Sequence, residues 1–501
     1  MKTKGIFVFQ RDIRIEDNRA LNALLKVCDE VYPIFIFTPE QVTNRNTFKS
    51  ENSVQFMVES LYDLNTQMET TCDKYRPNLT CLYGKNSDIL KSLVNDSRLN
   101  ITHIGYNMDF TPYAKQRHND LQKELPNCTF VNEEDYTLHS FDSGELLNRN
   151  TQQPYLKFTP FYNNILQLQL KPHKIAKPSQ KLREKIRTLP HERENQVAVD
   201  IETITLSDAY ARFVPNPNER LILYGGRCHG LKLLGLSKTY QNDYENTRNS
   251  LIQKTTQMSA YLKFGCVSIR EAYFFWKKLF GISCGLIRQL YWREFYALIL
   301  YHYPSNLKQS MNIKYDKIKW RNNSEAKHHL ECWKKGKTGF PIVDAAMIQM
   351  NTTGYMHNRA RLIVASFLVK TLLIDWREGE KYFAQKLVDY DVASNNGNWQ
   401  WVAGSGVDSQ PYFRIFNPWS QSETHDKNCI YIKTFLPQLE NIPAKDIHEW
   451  HTTYKIHLAS DSTENQKRRL TYPGPIVDYK MMKEKVIQAY KKALSDENTE
   501  K

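Results

Sequence analysis

The sequence predicts an α/β N-terminal domain, built on a parallel doubly wound sheet, followed by an all-α C-terminal domain. Three features of the 501 residues lead there. Over residues 1–132, short apolar runs alternate with amphipathic stretches, the pattern of a parallel sheet with helices on both faces. From residue 213 to 501, apolar residues recur at helical spacing with little β alternation. Between them, residues 133–212 are polar with scattered Pro and Lys, as in LKPHKIAKPSQKLREK, and read as a linker wrapping between two domains.

The elements follow in order. IFVFQ (6–10) is a first strand, and DNRALNALLKVCD the helix after it. VYPIFIF (31–37) is a buried strand, followed by a long amphipathic segment at 53–68. LTCLYG (79–84), a helix near 87–95, ITHIGYN (101–107), a helix near 112–124 and CTFVN (128–132) complete the alternation. In such sheets ligands bind beyond the carboxyl ends of the strands. In the second half, EAYFFWKKLFG, GLIRQLYWREFYALILYHY and MHNRARLIVASFLVKTLLIDW are helices.

Composition narrows the class. Hydrophobic residues make up 41% and charged residues 24%, ordinary values for a globular chain. No apolar run reaches the ~20 residues of a membrane span. The opening MKTKGIFVFQRD is not a signal peptide, so an intracellular protein is expected, in cytoplasm or nucleus depending on the host. KRR (467–469) is too short for a nuclear signal. The nine cysteines form no CxxC pair and none sits at zinc-ligand spacing from a histidine, so reduced thiols and no metal are expected. The net charge of +14 fits plain solubility or a polyanionic partner whose phosphates release counterions. Nine Trp hint that flat groups are stacked somewhere.

Two stretches imitate phosphate-binding motifs and fail. CWKKGKTGFP (332–341) has Glu331 where a P-loop needs Gly, and a helical pattern precedes it. GSGVDS (404–409) ends in Ser409 where a dinucleotide fingerprint needs Gly, and it lies in the helical half.

Other stretches carry more. GLIRQLYWREFYALI (285–299) aligns Gln289, Trp292, Arg293 and Tyr296 on one helical face, and TGYMHNRARLIVASFLVKTLLIDW (353–376) aligns Tyr355, Asn358, Arg359 and Leu362. With KLVDYDVASNNGNWQW (386–401), DSQPYFRIFNP (408–418), the opening FVFQRDIRIEDNRAL (7–21), LKFTPFYN (156–163), YGGRCHGLKLL (224–234) and the closing TYPGPIVDYK (471–480), they resemble the photolyase and cryptochrome family, above all the class I cyclobutane pyrimidine dimer photolyases. The resemblance covers nearly the whole chain. It implies an antenna domain at the N-terminus and a helical domain that holds FAD.

The resemblance also assigns residues. Tyr244 and the run Thr255, Thr256, Gln257, Met258, Ser259 match the segment that cradles the cofactor phosphates; hydroxyls and N–H groups at a helix start suit an anion, though the same residues serve as helix caps. Asp389 and Asp391 match acids that hold the cofactor, Arg361 an arginine paired with the first of them, and Arg293 a further cofactor contact. Asn395 matches the residue facing flavin N5, where plant-type cryptochromes carry Asp and animal-type ones usually Cys. Its amide can bond N5–H without adding negative charge. Trp399, Trp376 and Trp320 match the family's electron wire, running from the flavin to the surface. Gln289, Trp292, Asn358, Arg359, Leu362 and Trp401 match the lesion pocket, with Gln289, Trp292, Asn358, Asn395 and Trp401 at the reacting centre. A dimer stacks badly and costs less to flip out than a normal base. Arg248, Arg359 and Arg414 are candidates for the flanking phosphates. The implied partner is UV-damaged DNA, bound by a monomer. A second chromophore, folate or deazaflavin, is expected near YNMDFTPYAKQR (106–117).

Two positions depart from the class I pattern. Gln289 stands where Glu is usual, and Leu362 where Met is usual. Gln can donate through its NH2 but supplies no acidic proton. Because Gln is typical of (6-4) photolyases and animal cryptochromes, (6-4) repair and blue-light sensing stand as alternatives to dimer repair. Asn358 and Leu362, at the positions of the (6-4) enzymes' active-site histidines, speak for dimer repair. So do Asn395 and the short stretch after Asp478, since cryptochromes usually carry long tails.

Overall fold

A computed structural model describes residues 2–72, 75–190, 201–460 and 471–495. Six strands form one sheet: β1 (Lys4–Phe9), β2 (Glu30–Phe37), β3 (Thr80–Tyr83), β4 (Ile101–Met108), β5 (Thr129–Glu134) and β6 (Glu202–Thr203). Their order is β5-β4-β1-β2-β3-β6. The first five run parallel, and only the two-residue β6 is antiparallel, on the β3 edge. The order reverses between β1 and β4, which makes that gap the switch point of a doubly wound sheet.

β1 shows why the sheet is buried on both faces. Phe7 and Phe9 point into one apolar core while Ile6 and Val8 point into another, and all four are at most 3% exposed. Helices Arg19–Val27, Glu51–Thr71, Asn86–Asn95 and Pro112–Glu124 cover the sheet. The core containing Phe7 runs on without a break into the helical half, where it takes in Tyr261, Phe295 and Tyr296. Helices Pro341–Thr353, Asn358–Lys370 and Trp376–Lys386 surround a further core.

The segment 133–212 is more ordered than a polar linker. β5 extends through Glu134, and helices Phe158–Gln167, Gln180–Arg183 and Leu206–Phe213 lie within the segment. Its average polarity hides single apolar anchors: Leu138, Phe158 and Phe161 are at most 1% exposed. Tyr136 to His139 are buried between the two halves, where the fully buried Glu294 accepts the N–H groups of Leu138 and His139. Nearby, Arg270 of the helical half reaches Asp17 and Asp135 of the first half at 2.9 and 2.6 Å, all fully buried. An ion network of that burial ties the halves in one relative position. Residues 191–200 and the KRR run lie outside the described residues.

Both imitation motifs are helix ends. Gly336 and Gly404, at φ 64° and 89°, are the left-handed caps of helices Ser324–Lys335 and Val392–Ala403.

Candidate active site

Two cavities meet at the centre of the helical half. The larger, about 330 Å³, is lined by Tyr244, Arg248, Thr255 through Ser259, Gln289 and Arg293. The smaller, about 100 Å³, is lined by Leu362, Asn395, Asn398 and Trp399. Asn358, Arg361, Asp389, Asp391 and Ser394 line both, so the two form one cleft.

Three helices each supply several wall residues. Gly285–His302 carries Gln289 and Arg293 one turn apart. Asn358–Lys370 begins at the cleft, so Asn358, Arg361 and Leu362 all face it from the first turns. Val392–Ala403 is capped by Asp391, which accepts the Ser394 N–H, and its Asn395 and Trp399 lie one turn apart on the cleft face. Trp401, two positions on, falls on the other side of this helix and outside the cleft walls. Trp292 is also outside those walls. It is half-buried and stacks on Phe158 with ring centres 3.8 Å apart and planes 6° from parallel. Gln289 and Asn358 are exposed at the mouth, not buried as their helical faces suggest.

The polar contacts are specific. Arg361 holds Asp389 through both carboxylate oxygens at 2.9 and 3.1 Å, and Ser259 Oγ donates to the same carboxylate at 2.6 Å. Thr255 pairs with the Tyr355 hydroxyl at 3.0 Å. Gln257 sits at φ +53°, a strained conformation for a residue with a Cβ, and such strain gathers at ligand sites. The helix after it, Ser259–Lys263, has only five residues, so a phosphate there would rest on side chains and loop N–H groups more than on a helix dipole.

Asp391 does more than line the cleft. Besides capping its helix, it accepts from Arg11 at 2.5 Å and from the Tyr136 hydroxyl at 2.8 Å. The Arg293 guanidinium stands 3.4 Å over the Tyr136 ring. Burial opposes ionisation of Asp391, but Arg11 and Arg293 outweigh it and hold the carboxyl far below the usual range. Lys263, on the cleft wall, bonds Ser53 Oγ and the Val388 carbonyl; burial, reinforced by Arg11, lowers its ammonium to about 7.

Asn395 lines the cleft and donates its NH2 to the Glu380 backbone carbonyl at 3.1 Å, which leaves the amide oxygen as a free acceptor among the described residues. His357 Nδ1 accepts the Arg359 N–H at 3.1 Å, so the ring carries its proton on Nε2. That Nε2 is buried without a protein partner, and His357 lines the cleft. An orphaned buried donor, an acceptor amide, an Arg–Asp pair and a row of hydroxyls make a donor set that fits a dinucleotide with a flat hydrogen-bonding ring.

The three tryptophans differ in exposure. Trp399 is 2% exposed at the cleft wall, Trp376 is 1% exposed, and Trp320 is half-buried, edge-on to Tyr490. Gly379, one turn after Trp376, makes room for Trp399: a Cβ there would lie 2.1 Å from the Trp399 ring. At the rim Arg359 bonds Asn249 at 2.7 Å, and the charges of Arg248 and Arg414 lower its own pKa after burial does. The three arginines therefore form one positive cluster.

Sequence reading missed Arg11, Tyr136, Lys263 and Asn249. Arg11 and Asp391 are 380 positions apart, and no local signal links them.

Residues 6–180 match the family model described as DNA photolyase, and residues 286–492 the model described as FAD binding domain of DNA photolyase. A deoxyribodipyrimidine photo-lyase of Buchnera aphidicola is 33% identical over 97% of both chains. An archaeal photolyase of Sulfolobus tokodaii, solved with two FAD molecules, is 33% identical over 98% of this chain and 100% of its own, with a TM-score of 0.81. A class III photolyase of Agrobacterium tumefaciens is 30% identical over 98% of each chain, with a TM-score of 0.84.

Proposed function

The chain belongs to the DNA photolyase family, and we propose that its cleft holds FAD and, under blue light, serves to split cyclobutane pyrimidine dimers in DNA. The observation that carries this most is the orientation of Asn395, whose free carbonyl oxygen suits the N5–H of a reduced flavin. When bound, reduced FAD supplies the photoexcited electron that opens the cyclobutane ring and then recovers it, with no net redox change.

The chain's own residues bind, orient and protect. Thr255, Thr256, Gln257 and Ser259, with Tyr244 beside them, surround the cofactor phosphates. The Arg361–Asp389 pair and Asp391 border the flavin ring, and Arg293 closes the wall from the helix Gly285–His302. Asn358 and Gln289 stand at the open mouth, where their amides donate to the carbonyls of a flipped lesion. Trp292 and Trp401 flank it with apolar rings, and Leu362 fills the edge. The Phe158 stack fixes the Trp292 ring, so a base meets a preset face. Arg248, Arg359 and Arg414 engage the phosphates beside the lesion, which accounts for part of the +14 charge. Trp399, Trp376 and Trp320 carry electrons from the surface to the flavin when it has been oxidised.

A second flat chromophore fits a cavity of about 490 Å³ over the ends of β1 and β2, lined by Gln10, Arg11, Thr38, Gln41, Asp109 and Arg117. Asp109 and Arg117, which follow β4, extend this cavity towards the β1–β4 switch point, where such folds take their ligands. The protein works as a monomer inside the cell. Among the described residues, no helix is long and apolar enough to cross a membrane.

The test is direct. Purified protein with chemically reduced flavin is mixed with a thymine-dimer oligonucleotide and split into lit and dark samples. Intact thymines appear only in the light if the reading holds; equal yields in both samples refute it.

A further inference from the structure

A separate cavity of about 240 Å³ opens over the ends of β4 and β5. Helix Pro112–Glu124 gives it Asn119 and Gln122, both exposed, and β5 gives it Asn132. Three carboxamides thus stand at one opening. Deeper in, Tyr136, Phe141 and Tyr301 offer aromatic surface. Tyr106 and His118 stack with centres 4.2 Å apart.

One atom in this wall is unexplained by the fold. Tyr106 is 1% exposed, and its hydroxyl closes no hydrogen bond, although the Asn132 and Gln122 carboxamides stand beside it. A buried hydroxyl left unbonded is costly, and an occupant would satisfy it. The charges say what the occupant lacks. Among the described residues, no arginine lines the cavity, and its single lysine, Lys115, sits 3.4 Å over the Tyr301 ring. Asp109, Glu134 and Asp135 add three carboxylates, each already facing a cationic or imidazole partner (Arg11, His173, and Arg14 with Arg270), so no unpaired guanidinium is left for a phosphate.

We propose that this cavity binds a purine base of the adenine kind, presented without phosphate. A carboxamide offers a donor and an acceptor side by side, the match that Asn and Gln make with the N6/N7 edge of adenine. Aromatic side chains supply stacking for the ring. The volume suits one base rather than a whole dinucleotide. Tyr136 walls both this cavity and the flavin cleft, so the occupant stands one ring away from the cofactor site. The inference does not depend on light-driven repair, and its failure would leave that function untouched.

The experiment is calorimetric titration of the flavin-loaded protein with adenine, adenosine and AMP; the bound FAD keeps the probe out of the cofactor cleft. Saturable one-site binding of adenine is expected, with a Kd on the order of 0.1 mM. AMP should bind about tenfold more weakly, because no arginine of the lining is there to take its phosphate. Asn119→Ala and Gln122→Ala, both on an exposed helix face, should each weaken adenine about fivefold with flavin content and Tm unchanged. Absence of saturable adenine binding overturns the proposal. So does AMP binding as tight as adenine, or adenine binding undiminished in both variants.

Discussion

Asn395 is tied through its NH2 to the backbone carbonyl of Glu380 at 3.1 Å, which leaves its oxygen without a hydrogen bond among the described residues. The bond fixes an amide that could otherwise present either end. Replacing Asn395 with Asp keeps the acceptor, loses the tether and adds negative charge beside the flavin. The flavin midpoint potential is expected to fall by on the order of 50–100 mV. Spectroelectrochemistry of the variant measures this; an unchanged potential would show that residue 395 does not face the reacting end of the ring.

The Arg361–Asp389 pair tests the cofactor wall. Asp389 is 8% exposed and, among the described residues, keeps only the Ser259 hydrogen bond if Arg361 is lost. Breaking a buried pair on one side costs about 3–5 kcal/mol, and the 26% exposure of Arg361 puts this pair below that range. Arg361→Leu should purify with little flavin and melt lower, by absorbance and thermal scan. Full flavin content in that variant would move the pair out of the site.

Trp376→Phe separates two uses of light. Photoreduction of the oxidised flavin by an external donor should drop to a small fraction of the wild-type rate. Dimer splitting by protein reduced chemically beforehand should be unchanged. Equal photoreduction in both proteins would mean that electrons reach Trp399 by another route.

The cleft's legibility in the sequence had a clear limit. Gln289, Arg293, Asn358, Arg361, Asn395 and Trp399 lie on three helices; helical spacing marked the first three, while Arg361, Asn395 and Trp399 came only with the family resemblance. The strands of the sheet were legible within a few residues, because five of them are apolar runs between helices. β6 was not, since two exposed residues carry no periodic signal. Arg11 and Tyr136 escaped notice because their partner Asp391 is far along the chain. Segment 133–212 was read as a linker because Leu138, Phe158 and Phe161 are isolated apolar residues in a polar stretch, and burial depends on what packs against them. The Phe158–Trp292 stack is another case: sequence named the tryptophan and could not name its neighbour.

Glu380 makes stability depend on pH. Burial raises its carboxyl from 4.5 to about 7, with Asn396 donating to it at 3.0 Å. The folded state therefore binds a proton that the unfolded chain releases near its ordinary pKa. This contribution is fully present below about pH 4.5 and is lost as pH rises through about 7, by on the order of 3 kcal/mol. Glu380→Gln should flatten that part of the stability-against-pH curve, measured by denaturant unfolding between pH 5 and 8. A curve as steep as wild type would place the titration elsewhere.

The central claim is that this site repairs cyclobutane dimers in spite of Gln289. The sharpest measurement illuminates the reduced, purified protein with two oligonucleotides, one bearing a cyclobutane thymine dimer and one a (6-4) photoproduct, and separates the products by chromatography. Light-dependent recovery of thymines from the cyclobutane substrate alone is the predicted result. Repair of the (6-4) substrate alone, or of neither, would contradict it.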